Sequence, residues 1–261
     1  MKKQRKMIVI VILIAVFSVP IILLSLKSLA VGWSWGELLP SDFSLRGWSV
    51  VLNDPKIVAA ISVTYKIAIA VILLNLLIAI PTGRALAFYS FKGKGVIETI
   101  LFMPILIPAL AIAMGIHLTM IKLGLADQWL GVVLVHLIPT VPYSIRILRS
   151  GFERVGMKWE EQSFTLGGTT LSTFWLVMFP LLLPSLRAAI YLTYVISLSQ
   201  YVLTALIGGG NVVTLAMLYY PYFSSVDDMV IASFSLMFAL LPLLFIVMVE
   251  LVIRVTIFIG K

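Results

Sequence analysis

The chain has 261 residues, 61% of them hydrophobic and 11% charged, and its formal net charge is +8. A soluble domain of this size is about one-quarter charged and less than half apolar, so the composition indicates a membrane protein. The absence of cysteine excludes disulfides and cysteine-ligated metal sites. The basic residues lie at the ends of apolar stretches, which argues against nucleic-acid binding.

Six apolar stretches have the length that a bilayer requires, about 20 residues each. Their apolar residues are continuous rather than alternating, so they predict an all-α polytopic fold with one transmembrane domain over residues 1–261. The predicted spans are 7–26, 57–80, 99–121, 129–148, 188–207 and 229–253. The first also resembles a signal peptide, but its apolar run exceeds the usual core of about 7–15 residues, which favours an uncleaved span.

Basic residues predict which side of the membrane each connecting segment occupies, because they concentrate on the cytoplasmic side. With the N-terminus inside, the inner segments contain 14 of the 19 basic residues. These are Lys2, Lys3, Arg5, Lys6, Arg84, Lys92, Lys94, Arg146, Arg149, Arg154, Lys158, Arg187, Arg254 and Lys261. The outer segments contain Lys27, Arg46, Lys56 and Lys122, and the last outer loop contains Asp227 and Asp228. Both termini are therefore predicted to be cytoplasmic.

One basic residue, Lys66, falls inside the second predicted span. Because a charge in the middle of a bilayer is costly, we expect Lys66 to extend to the outer surface, with its helix continuing past Pro81.

The largest inner segment, residues 151–183, contains an organised polar stretch between two apolar spans. Residues 159–166 predict a short helix with Glu160 and Glu161 in its first turn, where carboxylates interact favourably with the helix dipole. Gly167 and Gly168 predict its end, and Thr169 or Thr170 can cap a second helix that leads to Pro180. On these grounds alone the segment fits a solvated connector slightly better than a docking element.

This stretch resembles the cytoplasmic signature of permease subunits of bacterial binding-protein-dependent ABC importers. That signature reads E-A-A-x-x-x-G and ends, about a dozen residues later, in a hydrophobic-Pro pair. Glu161 takes the acidic position and Gly167 the glycine, while Gln162 and Ser163 replace the two alanines. Phe174 and Val177 take later apolar positions, and Phe179-Pro180 forms the closing pair. Weaker similarity extends from about Trp48 to Glu250.

The resemblance implies a type I ABC importer permease in the bacterial inner membrane, without catalytic activity or a cofactor of its own. A separate cytoplasmic ATPase would bind ATP and Mg²⁺ and would contact the 159–180 loop. The implied coupling residues are Glu160, Glu161, Gln162, Ser163, Gly167, Gly168, Phe174 and Pro180. Other implied partners are a second permease chain, expected to differ in sequence, and an extracytoplasmic solute-binding protein. The subgroup that looks most similar carries polyamines, thiamine, ferric iron or aminoethylphosphonate, so such a solute is expected.

Polar residues recur along the fifth predicted span, on one face of a continuous helix. They are Thr193, Ser197, Gln200 and Thr204. They could line the solute path or form hydrogen bonds between helices, and both interpretations stay open.

The remaining residues contain no set that indicates catalysis or nucleotide binding. No G-x-x-x-x-G-K-[ST] sequence occurs, so the ATPase must be another chain. His117 and His136 predict structural hydrogen bonds rather than a proton relay. An ion-driven secondary transporter is the alternative, but such proteins place charged or unwound elements in the middle of the membrane, and the sequence shows no carboxylate there. Pro104, Pro108, Pro139 and Pro142 are expected to kink or break the third and fourth spans.

Overall fold

A computed structural model describes residues 2–33, 36–37, 39–223 and 227–259 of the protein, and this part of the chain is almost entirely helical. In chain order the helices are α1 (Lys2–Lys27), α2 (Arg46–Asn53), α3 (Pro55–Phe88), α4 (Lys94–Phe102), α5 (Ala109–Lys122), α6 (Trp129–Val155), α7 (Lys158–Thr165), α8 (Thr170–Thr173), α9 (Phe179–Leu198), α10 (Tyr201–Gly208), α11 (Leu215–Phe223) and α12 (Asp228–Ile259). A 3₁₀ turn covers Met103–Leu106 and a π turn covers Phe174–Met178. Strands β1 (Ala30–Val31) and β2 (Asp42–Phe43) form a short antiparallel pair.

Five helical segments among the described residues are long and apolar enough to cross a membrane, or six if one bent pair forms a single span. The first, second, fourth and sixth predicted spans correspond to α1, α3, α6 and α12. Helix α3 continues past Pro81 to Phe88, as expected, and Lys66 is exposed on its surface. These elements confirm the all-α polytopic fold.

The third predicted span, 99–121, is not one straight helix. Helix α4 with its 3₁₀ turn meets α5 at a bend of 105°. Pro108 restricts the residue before it to extended backbone, and Ile107 accordingly has φ −94° and ψ 129°. Pro104 and Pro108 therefore break this segment rather than merely kinking it.

The fifth predicted span, 188–207, is wrong at both ends. The continuous apolar helical segment runs from Thr170 to Leu198, and a separate helix, α10, follows it. The break lies at Ser199 and Gln200, where the Ser199 hydroxyl donates to the carbonyl of Ile196 and Gln200 leaves the helical conformation. A serine side chain that bonds to the backbone in this way competes with continuation of the helix.

The contacts of the chain group it into two compact units, 1–60 with 218–261 and 61–217. In the first unit α2 and α1 pack on α12. The Trp48 indole donates to the Ser28 hydroxyl, and Ser233 donates to the Ser28 carbonyl. Tyr222 stacks on Phe234 with ring centroids 5.0 Å apart.

The second unit packs α3, α6 and α9 around a core of buried apolar side chains. Its members include Ala79 and Leu86 from α3, Leu148 and Phe152 from α6, and Leu182 from α9. This core stabilises the end of the unit that carries α7 and α8, because Met178 from the π turn belongs to it and Phe174 packs against it. The polar stretch is therefore attached to a packed part of the protein.

Ion pairs in each unit agree with the predicted sides of the membrane. In the first unit Lys27 pairs with Asp228 and Arg46 with Asp227, all four assigned to the outer side. In the second unit Arg84 pairs with Glu160, from two segments assigned to the inner side. Lys261, which was counted among the inner residues, lies outside the described residues. The prediction of one domain over residues 1–261 stays a prediction.

Candidate functional site

The polar stretch forms a short helix, α7, directly after the first of two tight backbone turns. Helix α6 ends at Val155, and Gly156 has φ +81°, a conformation that glycine adopts without a steric penalty. Glu160 and Glu161 lie in the first turn of α7, as predicted, where their charges favour the helix dipole. The predicted boundaries of this helix, 159–166, differ from the observed ones by one residue.

Gly167 and Gly168 terminate α7 with a pair of backbone hydrogen bonds. The amide of Gly168 donates to the carbonyl of Ser163 at 2.9 Å, and the amide of Gly167 donates to Phe164 at 3.0 Å. These two bonds define a Schellman motif, whose first residue beyond the helix adopts the left-handed conformation. Gly167 has φ +86°, which confirms the predicted role of glycine here.

Thr169 caps the second helix through a capping box with Ser172. The Ser163 and Thr173 hydroxyls are 2.8 Å apart, so a hydrogen bond ties α7 to α8. Beyond α8, the wider π turn ends at Met178, and Pro180 lies in the first turn of α9, where its missing amide hydrogen is tolerated. The two helices and their turn thus form one braced hairpin, and we call residues 158–180 the loop hairpin.

Two adjacent carboxylates of the loop hairpin have opposite environments. Glu160 is 4% exposed and accepts hydrogen bonds from the Arg84 guanidinium of α3, whereas Glu161 is exposed. The sequence did not predict the partner of Glu160, because 76 residues separate it from Arg84. The sequence indicated only that Arg84 and Glu160 lie in segments on the same, inner side of the membrane.

The other predicted coupling residues also divide by environment. Gln162, Gly167 and Pro180 are exposed, whereas Phe174 packs against the core of the second unit. Large apolar side chains project from the same hairpin, including Leu166 at 88% exposure and Leu176 at 77%. Exposed apolar clusters of this kind mark protein–protein or membrane contacts. The exposed face of the loop hairpin is therefore suited to contact another molecule.

The second candidate site, the polar residues of the fifth predicted span, does not lie on one helix. Thr193 and Ser197 belong to α9, Gln200 lies at the break and Thr204 belongs to α10. Thr193, Ser197 and Thr204 are buried, and Gln200 is half-buried. The prediction that these four residues lie on one face of a continuous helix is therefore wrong.

The buried members of this group bind side chains of other helices. Asn75 of α3 donates to the Thr193 hydroxyl at 3.0 Å, and the Ser144 hydroxyl of α6 lies 3.1 Å from Thr193. The His136 ring lies between Ser197 and Thr204, with each nitrogen 3.0 Å from a hydroxyl. These contacts confirm that His136 makes structural hydrogen bonds. Asn75 and Ser144 are members of the network that the sequence did not single out.

Similarity to known proteins now identifies the class of this chain. Residues 79–256 match the family described as "Binding-protein-dependent transport system inner membrane component". The chain belongs to this family. It is accordingly a non-catalytic permease subunit of an ABC importer in the inner membrane, and a partner ATPase hydrolyses the ATP. The family also implies a separate substrate-binding protein.

Named transport proteins are similar to this chain in sequence, and two of them are a molybdate/tungstate permease and a sulfate permease. It is 29% identical over 149 residues to the molybdate/tungstate transport system permease protein WtpB of Pyrococcus abyssi. That match spans 57% of this chain and 60% of the relative. It is 25% identical over 209 residues to the sulfate transport system permease protein CysT of Salmonella typhimurium, spanning 71% of this chain and 75% of the relative.

The fold is similar to that of a solved transporter. A chain in the crystal structure of a bacterial ABC transporter involved in the import of the acidic polysaccharide alginate superimposes with a TM-score of 0.76. The superposition covers 95% of this chain and 96% of that chain, at 20% sequence identity. It confirms the type I importer permease fold.

Proposed function

We propose that this permease subunit serves the import of a tetrahedral oxyanion of the sulfate or molybdate/tungstate class. The observation that carries the proposal is that the sequence relatives described above are sulfate and molybdate/tungstate permeases. This solute class replaces the polyamine, thiamine, ferric iron or aminoethylphosphonate expected from the resemblance, since none of those relatives is named for such a solute.

The distribution of carboxylates supports an anionic solute. The Asp and Glu residues of the chain lie in connecting segments or near the ends of the predicted spans. A path free of carboxylates avoids repulsion of a dianion, whereas a path for a polycation would gain from them. The side-chain amide of Gln200, which is half-buried, can donate hydrogen bonds to an oxyanion without fixing it by charge.

The loop hairpin is proposed as the contact with the ATPase. Its exposed residues Glu161, Gln162 and Gly167, and the apolar side chains of Leu166 and Leu176, would meet the partner, while Phe174 and Ser163 brace the hairpin from within. ATP and its Mg²⁺ are expected on the ATPase. Pro180 and Gly168 act through the shape of the backbone rather than through contacts of their own.

The second permease chain is proposed to differ in sequence from this one, because the subgroup that the chain resembles between about Trp48 and Glu250 often uses two different permeases. Two differently tagged copies of this chain, expressed together in its native host, test this point. Recovery of one tag without the other, together with a distinct permease, is expected. Recovery of both tags in one complex would contradict the heterodimer.

The experiment that tests the solute is uptake into proteoliposomes that contain the complete transporter and its binding protein. Radiolabelled sulfate and molybdate are each measured with ATP inside the vesicles, and putrescine serves as the matched cationic control. We expect ATP-dependent accumulation of at least one oxyanion and none of putrescine. Accumulation of putrescine alone would refute the proposed solute class, and accumulation driven by an ion gradient without ATP would favour the secondary transporter.

A further inference from the structure

The two adjacent carboxylates of α7 face different partners, and this separation points to different tasks. We propose that the Arg84–Glu160 ion pair is the link that transmits movement of the ATPase-bound hairpin to α3, while Glu161 serves docking itself. The proposal rests on the proposed contact between the loop hairpin and the ATPase. It assigns the link to a single pair of side chains.

The geometry of the pair is that of a strong, directional contact. The Arg84 Nε lies 2.9 and 3.2 Å from the two carboxylate oxygens of Glu160, and Nη2 lies 2.6 Å from Oε2. A guanidinium that binds a carboxylate with two nitrogens fixes orientation as well as distance. A rotation or shift of α7 therefore either moves the Arg84 guanidinium with it or breaks the pair.

Arg84 is itself held firmly on α3. Its guanidinium carbon lies 6.0 Å from the ring centre of Phe88 and 5.7 Å from that of Tyr89, within range of cation–π attraction. The neighbouring Gly83 allows close approach of α6, since a Cβ there would lie 3.0 Å from the amide nitrogen of Arg149. The side chain that receives the force is thus anchored where α3 and α6 are in backbone contact.

Other bonds of α7 stabilise the hairpin internally. Ser163 binds Thr173 within the loop hairpin, whereas Arg84 belongs to a membrane-spanning helix that starts at Pro55. Helix α3 has 34 residues, so it is about 50 Å long. The ion pair therefore connects the ATPase-facing hairpin to an element long enough to cross the bilayer.

Burial makes the link sensitive to the loss of either partner. Glu160 is almost fully buried. An ionised carboxylate left in a buried position without its cation destabilises the protein far more than an exposed one does. If Arg84 is replaced by a neutral residue, we expect α7 to move so that the Glu160 carboxylate reaches water. This movement separates the loop hairpin from α3. The ATPase can still dock on the exposed face of the loop hairpin, but less of its movement reaches α3, because only the packing of Met178 and Phe174 against the core then connects the two elements.

The test separates docking from transmission in the complete transporter. Glu160→Gln, Arg84→Gln and Arg84→Lys are compared with Glu161→Gln for two quantities, the ATPase retained on the purified permease and the oxyanion imported per ATP hydrolysed. Arg149→Gln is the control, because Arg149 is about as exposed as Arg84 but pairs with Glu98 and Glu153 rather than with a residue of α7. Melting of each variant in detergent shows whether it is folded.

We expect Glu160→Gln and Arg84→Gln to retain the ATPase but to import about tenfold less solute per ATP, with Arg84→Lys intermediate because it keeps the charge and loses the fork. The double variant Arg84→Glu/Glu160→Arg, which exchanges the two charges, should recover part of the lost import per ATP. It therefore tests the link even if a single variant folds poorly. Glu161→Gln should instead lower ATPase retention.

Wild-type solute import per ATP in the Glu160 and Arg84 variants, or an equal loss in Arg149→Gln, would overturn the inference. Glu161→Gln and Leu166→Asp together alter the exposed face of the loop hairpin. If a folded permease with both substitutions still retained its ATPase, the proposed docking role would be refuted instead. The two failures are therefore distinguishable.

Discussion

Replacement of Gly167 by valine tests the turn that holds the loop hairpin in shape. Gly167 has φ +86°, and a Cβ at this position would lie more than 4 Å from the surrounding atoms of the described residues, so the substitution introduces backbone strain without a collision at Cβ. A residue with a side chain in this conformation costs about 1–3 kcal/mol, and a β-branched residue lies at the upper end. If the hairpin must hold its native turn to bind the ATPase, this cost weakens binding by about 5- to 150-fold.

The assay is titration of labelled ATPase onto the detergent-solubilised permease complex that has been stripped of its own ATPase. Gly167→Asn is the matched control, because asparagine tolerates the left-handed conformation better than other side chains. We expect a large loss of affinity for valine and a small one for asparagine. Equal affinities of wild type and Gly167→Val, with the variant folded, would refute the reasoning that the native turn is needed for docking.

Three further predictions concern side chains away from the loop hairpin. Tyr222→Phe removes the hydrogen bond from the Tyr222 hydroxyl that lowers the pKa of the Asp54 carboxyl, and should reduce the melting temperature by about 2–4 °C at neutral pH. Because the pKa of Asp54 is lowered on folding, this stabilisation is complete above about pH 4 and is lost as the pH falls through the lowered value. Burial and the bond to Asp54 raise the pKa of Tyr222 to about 12. The stabilisation by this hydrogen bond therefore persists to about pH 10 and is lost as the pH rises through 12. A difference in melting temperature between wild type and Tyr222→Phe that grows in acid would contradict this. His136→Leu leaves the buried Ser197 hydroxyl without its partner and should cost about 1–3 kcal/mol in thermal unfolding, whereas His136→Gln should cost less, and equal melting curves would disprove the role of the ring. Gln200→Leu should impair oxyanion uptake without loss of ATPase if Gln200 lines the solute path, and unaltered uptake would favour a packing role.

Local chemistry was enough to predict the loop hairpin. The position of Glu160 and Glu161 in a first turn, the left-handed glycine at 167 and the cap at Thr169 each depend on residues within about one helical turn. Such short-range rules do not require knowledge of tertiary contacts. The predicted and observed bounds therefore agree closely.

Hydropathy located the spans but not their ends or breaks. A sliding window recognises apolar content, so it merged α4 with α5 across Pro104 and Pro108 and merged α9 with α10 across Ser199. It also excluded residues 170–187, because they contain polar residues and prolines that are nevertheless helical. The prolines decide the break between α4 and α5, whereas the break between α9 and α10 involves the bond of the Ser199 hydroxyl to the backbone, which hydropathy does not detect.

The partners of buried polar groups could not be predicted from one sequence. Arg84 and Glu160, or Asn75 and Thr193, meet only after α3 packs against the later helices. The signature assigns its acidic position to Glu161, but the local sequence does not indicate that the fold buries Glu160 and exposes Glu161. The direction of a side chain on a short helix depends on where the helix docks.

The role of this chain as a permease subunit is tested most directly by purifying the tagged chain in mild detergent from its native membrane and identifying the proteins that accompany it. We expect an ATPase and a second permease in the same complex, with the ATPase strongly reduced by Gly167→Val and only slightly reduced by Gly167→Asn. Recovery of the chain alone, under conditions that preserve other ABC transporter complexes from the same membrane, would contradict this role.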